Sequence, residues 1–189
     1  AGTQGDRVVA YEAAMQAIAD ANPDDIELRI FAALAVTQAA PPTDKTYARQ
    51  LRAAAVMEPL FATMPAHPGL AHYIIHAYDA PPLAEKALVA ARRYASLAPV
   101  IPHALHMPSH TFTRVGSWQE SIDTNRRSAE AARTAGEPGA EAHALDYQTY
   151  AFLQIAQDAS AKAVVDRAEM LASAPGTNTF AVAAIPARY

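Results

Sequence analysis

Residues 65–98, PAHPGLAHYIIHAYDAPPLAEKALVAARRYASLA, and the stretch that follows from Pro99, PVIPHALHMPSHTFTRVGSWQESIDTNRRSAEAA, decide the fold. Overlaid at an offset of 34 residues, they set Pro65 on Pro99, Pro68 on Pro102, His72 on His106 and His76 on His110, with Tyr78 over Phe112. Each copy opens on prolines, which suit the first turn of a helix, and each has room for two helices. The spacing therefore predicts a helical hairpin repeated in tandem, best preserved over 65–98 and 99–135. A third unit begins near Gly139, after an insertion of about three residues.

Outward from these copies the chain keeps the same character. Alanine, the strongest helix former, is everywhere, and β-branched runs are scarce. Apolar residues recur at three and four, as in Val8, Tyr11, Met15 and Ile18. Prolines and glycines fall mostly between such stretches. The pattern predicts ten helices and no strands, over about 6–21, 24–39, 45–64, 68–79, 83–97, 102–115, 117–134, 140–157, 159–173 and 177–188. Asp24 and Asp25 suit a helix start through capping and the helix dipole. The connections are short, so sequential helices should pack antiparallel. The fold class expected is all-α, one helical-repeat domain over residues 1–189.

Composition narrows the function. Apolar residues make up 51% and charged residues 18%, which is globular rather than disordered. A net charge of −4 with no basic cluster gives no footprint for nucleic acid or anionic lipid. There is no cysteine, which excludes disulfides, thiolate ligands and cysteine nucleophiles. No apolar run is long enough for a membrane span. No phosphate loop or dinucleotide fingerprint occurs.

The chemistry gathers in the histidines, all seven of which lie between positions 67 and 143. Residues four apart share a helix face, so His72 with His76 and His106 with His110 form two stripes. Such pairs are bidentate donors for zinc, copper, nickel or iron, and Asp79 could add an oxygen. The pattern lacks the glutamate of a zinc protease. Three readings stay open: a metal site; a polar groove whose imidazoles, Tyr78, Arg114, Tyr147 and Tyr150 read an anionic ligand or peptide; and histidines bonded only to one another, to backbone or to Asp79 and Asp146. His67, before Pro68, reads as a cap. Ser109 and His110 are neighbours on a helix and point about 100° apart, so they are no direct catalytic pair. Asp123 to Arg127 read as a solvated face, and Met57, Met64, Met107 and Met170 as core fillers. Pro108 either kinks its helix or starts a new one, the second case moving His103 and His106 onto a loop.

The 34-residue period resembles that of the tetratricopeptide repeat. Ala87 and Tyr78 resemble its small and aromatic positions, Gly116 and Trp118 its turn into the second helix, and Asn22-Pro23-Asp24-Asp25 its junction between repeats. The segments HPGLAHYIIHAYD, PHALHMPSHTFTRVGSW and HALDYQTYAFLQ look like an uncharacterised family of bacterial tetratricopeptide-repeat proteins, longer at both ends. The resemblance implies a right-handed α-solenoid and a piece of a longer protein. It also implies a concave groove faced by His72, His76, Asp79, His103, His106 and His110, joined by His143, Tyr147 and Tyr150. It brings no reaction. The expected function is transition-metal binding by His72, His76, His106 and His110, with His103, Asp79 and His143 as further ligands or support. A metal-dependent hydrolase or oxidase fits only if a coordination position stays open. The alternative is a non-catalytic module holding a peptide or protein partner in the groove. The expected setting is a soluble bacterial protein, with the compartment left open between cytoplasm and, if a signal peptide is missing from this chain, periplasm.

Overall fold

The computed structural model describes residues 2–189, and among them every regular element is helical. The elements are α1 (Gln4–Ala21), α2 (Ile26–Gln38), α3 (Ala48–Thr63), α4 (Pro68–Ala77), a 3₁₀ turn (Ala84–Ala87), α5 (Leu88–Leu97), α6 (Pro102–His106), α7 (Pro108–Arg114), α8 (Trp118–Ala135), α9 (Pro138–Gln154), α10 (Asp158–Leu171) and α11 (Thr179–Arg188). The expected all-α class is what the chain adopts.

Local chemistry sets the boundaries. Asp25 caps α2 by accepting from the Leu28 amide at 3.1 Å, so the helix opens at Ile26. His67 caps α4 in the same way, its Nδ1 accepting from the Leu70 amide at 3.1 Å while its Nε2 lies 2.8 Å from Glu27. Pro68, Pro102 and Pro138 each take the first turn of a helix, where a missing N–H costs nothing. Two boundaries depart from expectation. The stretch read as one helix over 83–97 opens as the 3₁₀ turn Ala84–Ala87. The stretch over 102–115 divides at Met107, because Pro108 has no amide to continue the ladder of α6.

The chain divides into two compact units, Ala1–Asp79 and Ala80–Tyr189. In the first, α2 packs on α1 and α3, and α4 on α3 and α2. Ile30, Met57, Leu70 and Ile75 are fully buried, each worth about 1.5–3 kcal/mol relative to exposure. Arg49 and Arg52 of α3 both bond Glu12 of α1. Tyr11 and Ile18 stay exposed, so the stripe that marks α1 as a helix is only partly covered.

In the second unit α8 and α9 pack along each other. α6 and α7 lie on α8, and α10 and α11 on α9. Ile122, Leu145, Phe152, Val165, Leu171 and Ile185 form the core, with Trp118 against it. Met57 and Met107 are core fillers, whereas Met170, read as one, is 74% exposed on α10. Arginines tie the helices. Glu141 of α9 is buried and accepts from Arg133 of α8 at 3.0 Å and from Arg167 of α10 at 2.7 Å. Asp146 of α9 accepts from Arg188 of α11 at 2.5 and 3.1 Å.

Burial by itself would raise the Glu141 carboxyl, but the hydrogen bonds from Arg167 and Arg133 outweigh it and its pKa lies below the ordinary 4.5. The folded state thus holds this proton less tightly than the unfolded chain. The stability it contributes is present above pH 4.5 and is lost as pH falls through the lower folded value. Both arginines keep access to water, so the expected loss in Glu141→Gln at pH 7 is about 1–3 kcal/mol rather than that of a fully buried pair. Urea melts from pH 7 to 3 should show that loss at pH 7 and a flatter acid limb. A variant as stable as the parent at pH 7 would contradict the clamp.

Candidate metal centre

Three histidines of the second unit converge. His106 ends α6, His110 lies in α7, and His143 lies in the second turn of α9. Met107, with φ −51° and ψ −38°, stays helical across the break at Pro108. The last amide of α6's ladder is Met107 N to His103 O at 3.0 Å, and the ladder restarts with His110 N to Met107 O at 3.2 Å. His103 and His106 therefore remain on a helix. His106 and His110 keep their helical register, Nε2 to Nε2 at 3.0 Å, with ring centroids 4.9 Å apart. The His143 ring centroid is 4.3 Å from that of His106. One ring nitrogen from each residue lies within 4.8 Å of the others, an arrangement that can hold a metal ion.

A buried amide fixes the direction of the central ring. Asn125 Nδ2 donates to the Ser121 carbonyl at 2.9 Å, so Oδ1 is the atom turned to His106 Nδ1, at 2.7 Å. An amide oxygen only accepts, so His106 Nδ1 carries the hydrogen and Nε2 presents its lone pair toward His110. This is the arrangement found behind metal-bound imidazoles, where the far nitrogen donates to an oxygen. Ser109 Oγ backs the pair at 3.5 Å from His106 Nδ1 and 3.4 Å from Asn125 Oδ1. It is wholly buried, and Asp146 is held by Arg188, so these two do not form an exposed serine nucleophile with a free acid behind it.

The electrostatics favour neutral rings. Burial lowers the pKa of His106 well below 6.5, repulsion from His110 and His143 lowers it further, and the Asn125 bond offsets part of this. His143 is lowered by burial and then by His110, against the pull of Asp146. His103 is lowered by burial and by His110. Neutral imidazole is the form that binds metal.

Tyr147, one turn beyond His143, walls the cluster. Its ring centroid is 4.7 Å from His106, 5.2 Å from His110 and 5.5 Å from His143. His103 stands one turn before His106, with centroids 6.5 Å apart. Tyr150 turns to other partners, 5.7 Å from Trp118 and beneath the Arg188 guanidinium at 5.7 Å. Arg114 is exposed at the last residue of α7.

In the first unit His72 and His76 on α4 repeat the geometry of the other pair, Nε2 to Nε2 at 3.1 Å and centroids 4.8 Å apart. Tyr73 stacks on His72 at 5.4 Å. Asp79 follows the end of α4 and is partly buried. Tyr78 is buried and donates to Glu58 at 2.8 Å. Burial and then that bond push its phenol far above the ordinary value of 10, so its hydroxyl is committed inside the unit.

Asn125 is the residue that sequence reasoning missed, and the solvated face assigned to Asp123–Arg127 fails there. Asn125 is completely buried, as is Thr124 nearly, while Asp123, Arg126 and Arg127 do face water. The signal lay in the spacing of Ser121, Asn125, Ser128 and Ala132, small or neutral side chains on one side of α8. No family model, curated protein or solved structure matches the chain.

Asn125→Ala leaves the buried His106 N–H without its acceptor and is expected to cost about 1–3 kcal/mol. Ser109→Ala removes only two long contacts and should cost less than about 1 kcal/mol. Urea denaturation at pH 7 without added metal measures both. Equal costs would show that Asn125 does not hold the ring.

Proposed function

We propose that this protein binds a transition-metal ion through His106, His110 and His143. The observation that carries this reading is the convergence of the three ring nitrogens around His106, whose other nitrogen is occupied by Asn125. Two imidazoles bonded at 2.0–2.1 Å in a tetrahedral shell stand about 3.3 Å apart, and His106 and His110 are already near that separation at 3.0 Å. Three neutral nitrogen donors without thiolate suit zinc, copper, nickel or iron, and leave a position for an exogenous ligand. His72 and His76 add a second pair of imidazole donors in the same local geometry.

The same reading takes the helices as tetratricopeptide-like hairpins of an α-solenoid. Its support is the 34-residue period and the matched proline-led starts of α4 and α6. The carboxylate-reading groove is less favoured, because Tyr78 is committed to Glu58 and Tyr150 to Trp118 and Arg188. No helix of the described residues is long and apolar enough to cross a membrane.

The test is zinc titration of the untagged chain by calorimetry, with thermal melts alongside. Metal at about 100 times Kd should add about 2.7 kcal/mol of stability. Asn125→Ala should weaken binding by about 10–100-fold, as loss of an outer-shell partner does, and His106→Ala or His143→Ala by more. His72→Ala should leave the His106 site intact. Undiminished binding in both His106→Ala and His143→Ala would sink the proposal.

A further inference from the structure

His106 and His143 have a second neighbour besides each other. Together with Pro102, His103, Gly139 and Ala140 they wall a cavity of about 200 Å³ in the second unit. Gly139 on its wall also makes a close approach of backbone. A Cβ at Gly139 would stand 2.6 Å from the Gly176 carbonyl oxygen, so only glycine lets the first turn of α9 meet the connection between α10 and α11. Asn178 of that connection also lines the space, and its side chain is anchored by accepting from the Ala181 amide at 3.0 Å.

Charge and size select the occupant. An ion held by three imidazoles keeps its full positive charge, because none of them carries a compensating negative one. The two acids of α9 nearest in sequence to His143 do not supply it. Glu141 is balanced by Arg133 and Arg167, and Asp146 by Arg188. Gly139 and Ala140 are the second and third residues of α9 and lie at the N-terminal end of that helix. The volume is below the roughly 300–1,000 Å³ of pockets for drug-sized ligands.

We propose that this cavity seats a small oxyanion, of carboxylate or bicarbonate size, as the exogenous ligand on the ion held by His106, His110 and His143. The inference rests on the metal reading above and names what the open position takes. His103, on the cavity wall and outside the three-histidine set, is placed to limit the length of that anion.

The experiment uses the full chain, untagged and loaded with Co(II), whose visible spectrum reports its ligands. Acetate and bicarbonate should each give a saturable spectral change, and benzoate should give none. Ala140→Leu should keep the Co(II) spectrum while its acetate affinity falls by about tenfold or more. His103→Ala should admit benzoate, which keeps the size argument testable if Ala140→Leu does not fold. A Co(II) spectrum indifferent to acetate and bicarbonate would overturn this inference and leave metal binding standing, as would Ala140→Leu responding like the parent. Absence of any Co(II) uptake would overturn both.

Discussion

The hydrogen bond from His106 to Asn125 governs the second unit's polar interior. An imidazole placed deep between helices would cost several kcal/mol if charged and unpaired, so it stays neutral, and a neutral imidazole must choose a tautomer. Asn125 makes the choice because its amide nitrogen donates to the Ser121 carbonyl, which turns Oδ1 to the ring. With Nδ1 protonated, the lone pair of His106 has only one direction to face, toward His110 and His143. One amide on α8 thus sets the chemistry of rings on α6, α7 and α9.

The rest of the unit keeps that interior in register. Burial lowers the pKa values of His103, His106 and His143, and repulsion from His110 lowers them further, so the packed rings are held neutral. The helices that carry them cannot relax apart easily. Ser128 Oγ donates to the Pro102 carbonyl at 2.8 Å and holds α8 to α6. Glu141 links α8, α9 and α10, and Asp146 links α9 to α11. Most of α9's positions therefore face a partner, which is why acidic side chains are buried there beside the apolar core.

Much of the helical framework was legible in the sequence. Proline and glycine punctuate it physically: Pro68, Pro102 and Pro138 start helices, while Gly116, Gly136 and Gly176 adopt positive φ in the connections. The two HxxxH stripes were legible because four residues bring side chains onto one face whatever the tertiary context. Less visible was anything that depends on a partner helix. Asn125 sits in a charged segment, DTNRR, whose composition reads as surface, and only the packing of α6 and α7 on α8 buries it. Tyr78 looked like a groove aromatic until Glu58, twenty positions away, claimed its hydroxyl. Tyr150 shares a helix with His143 and Tyr147 but meets α11, an element whose approach no local spacing announces.

Pro108 shows how a local disruption can serve the site. A proline between the two histidines removes the amide that would bond Ala104, and in isolation this argues for a broken helix and a scattered pair. The break is absorbed by Met107, which is fully buried and keeps helical dihedral angles. Its side chain gives the interruption an apolar anchor, so the chain resumes as α7 with the histidine register preserved. The cost of a missing hydrogen bond falls on the backbone, while the side-chain geometry stays with the packing. The position of His110 against His106 is thus held by the core around Met107, Leu105 and Phe112 rather than by an unbroken helix, which ties the shape of the three-histidine cluster to the apolar interior beneath it.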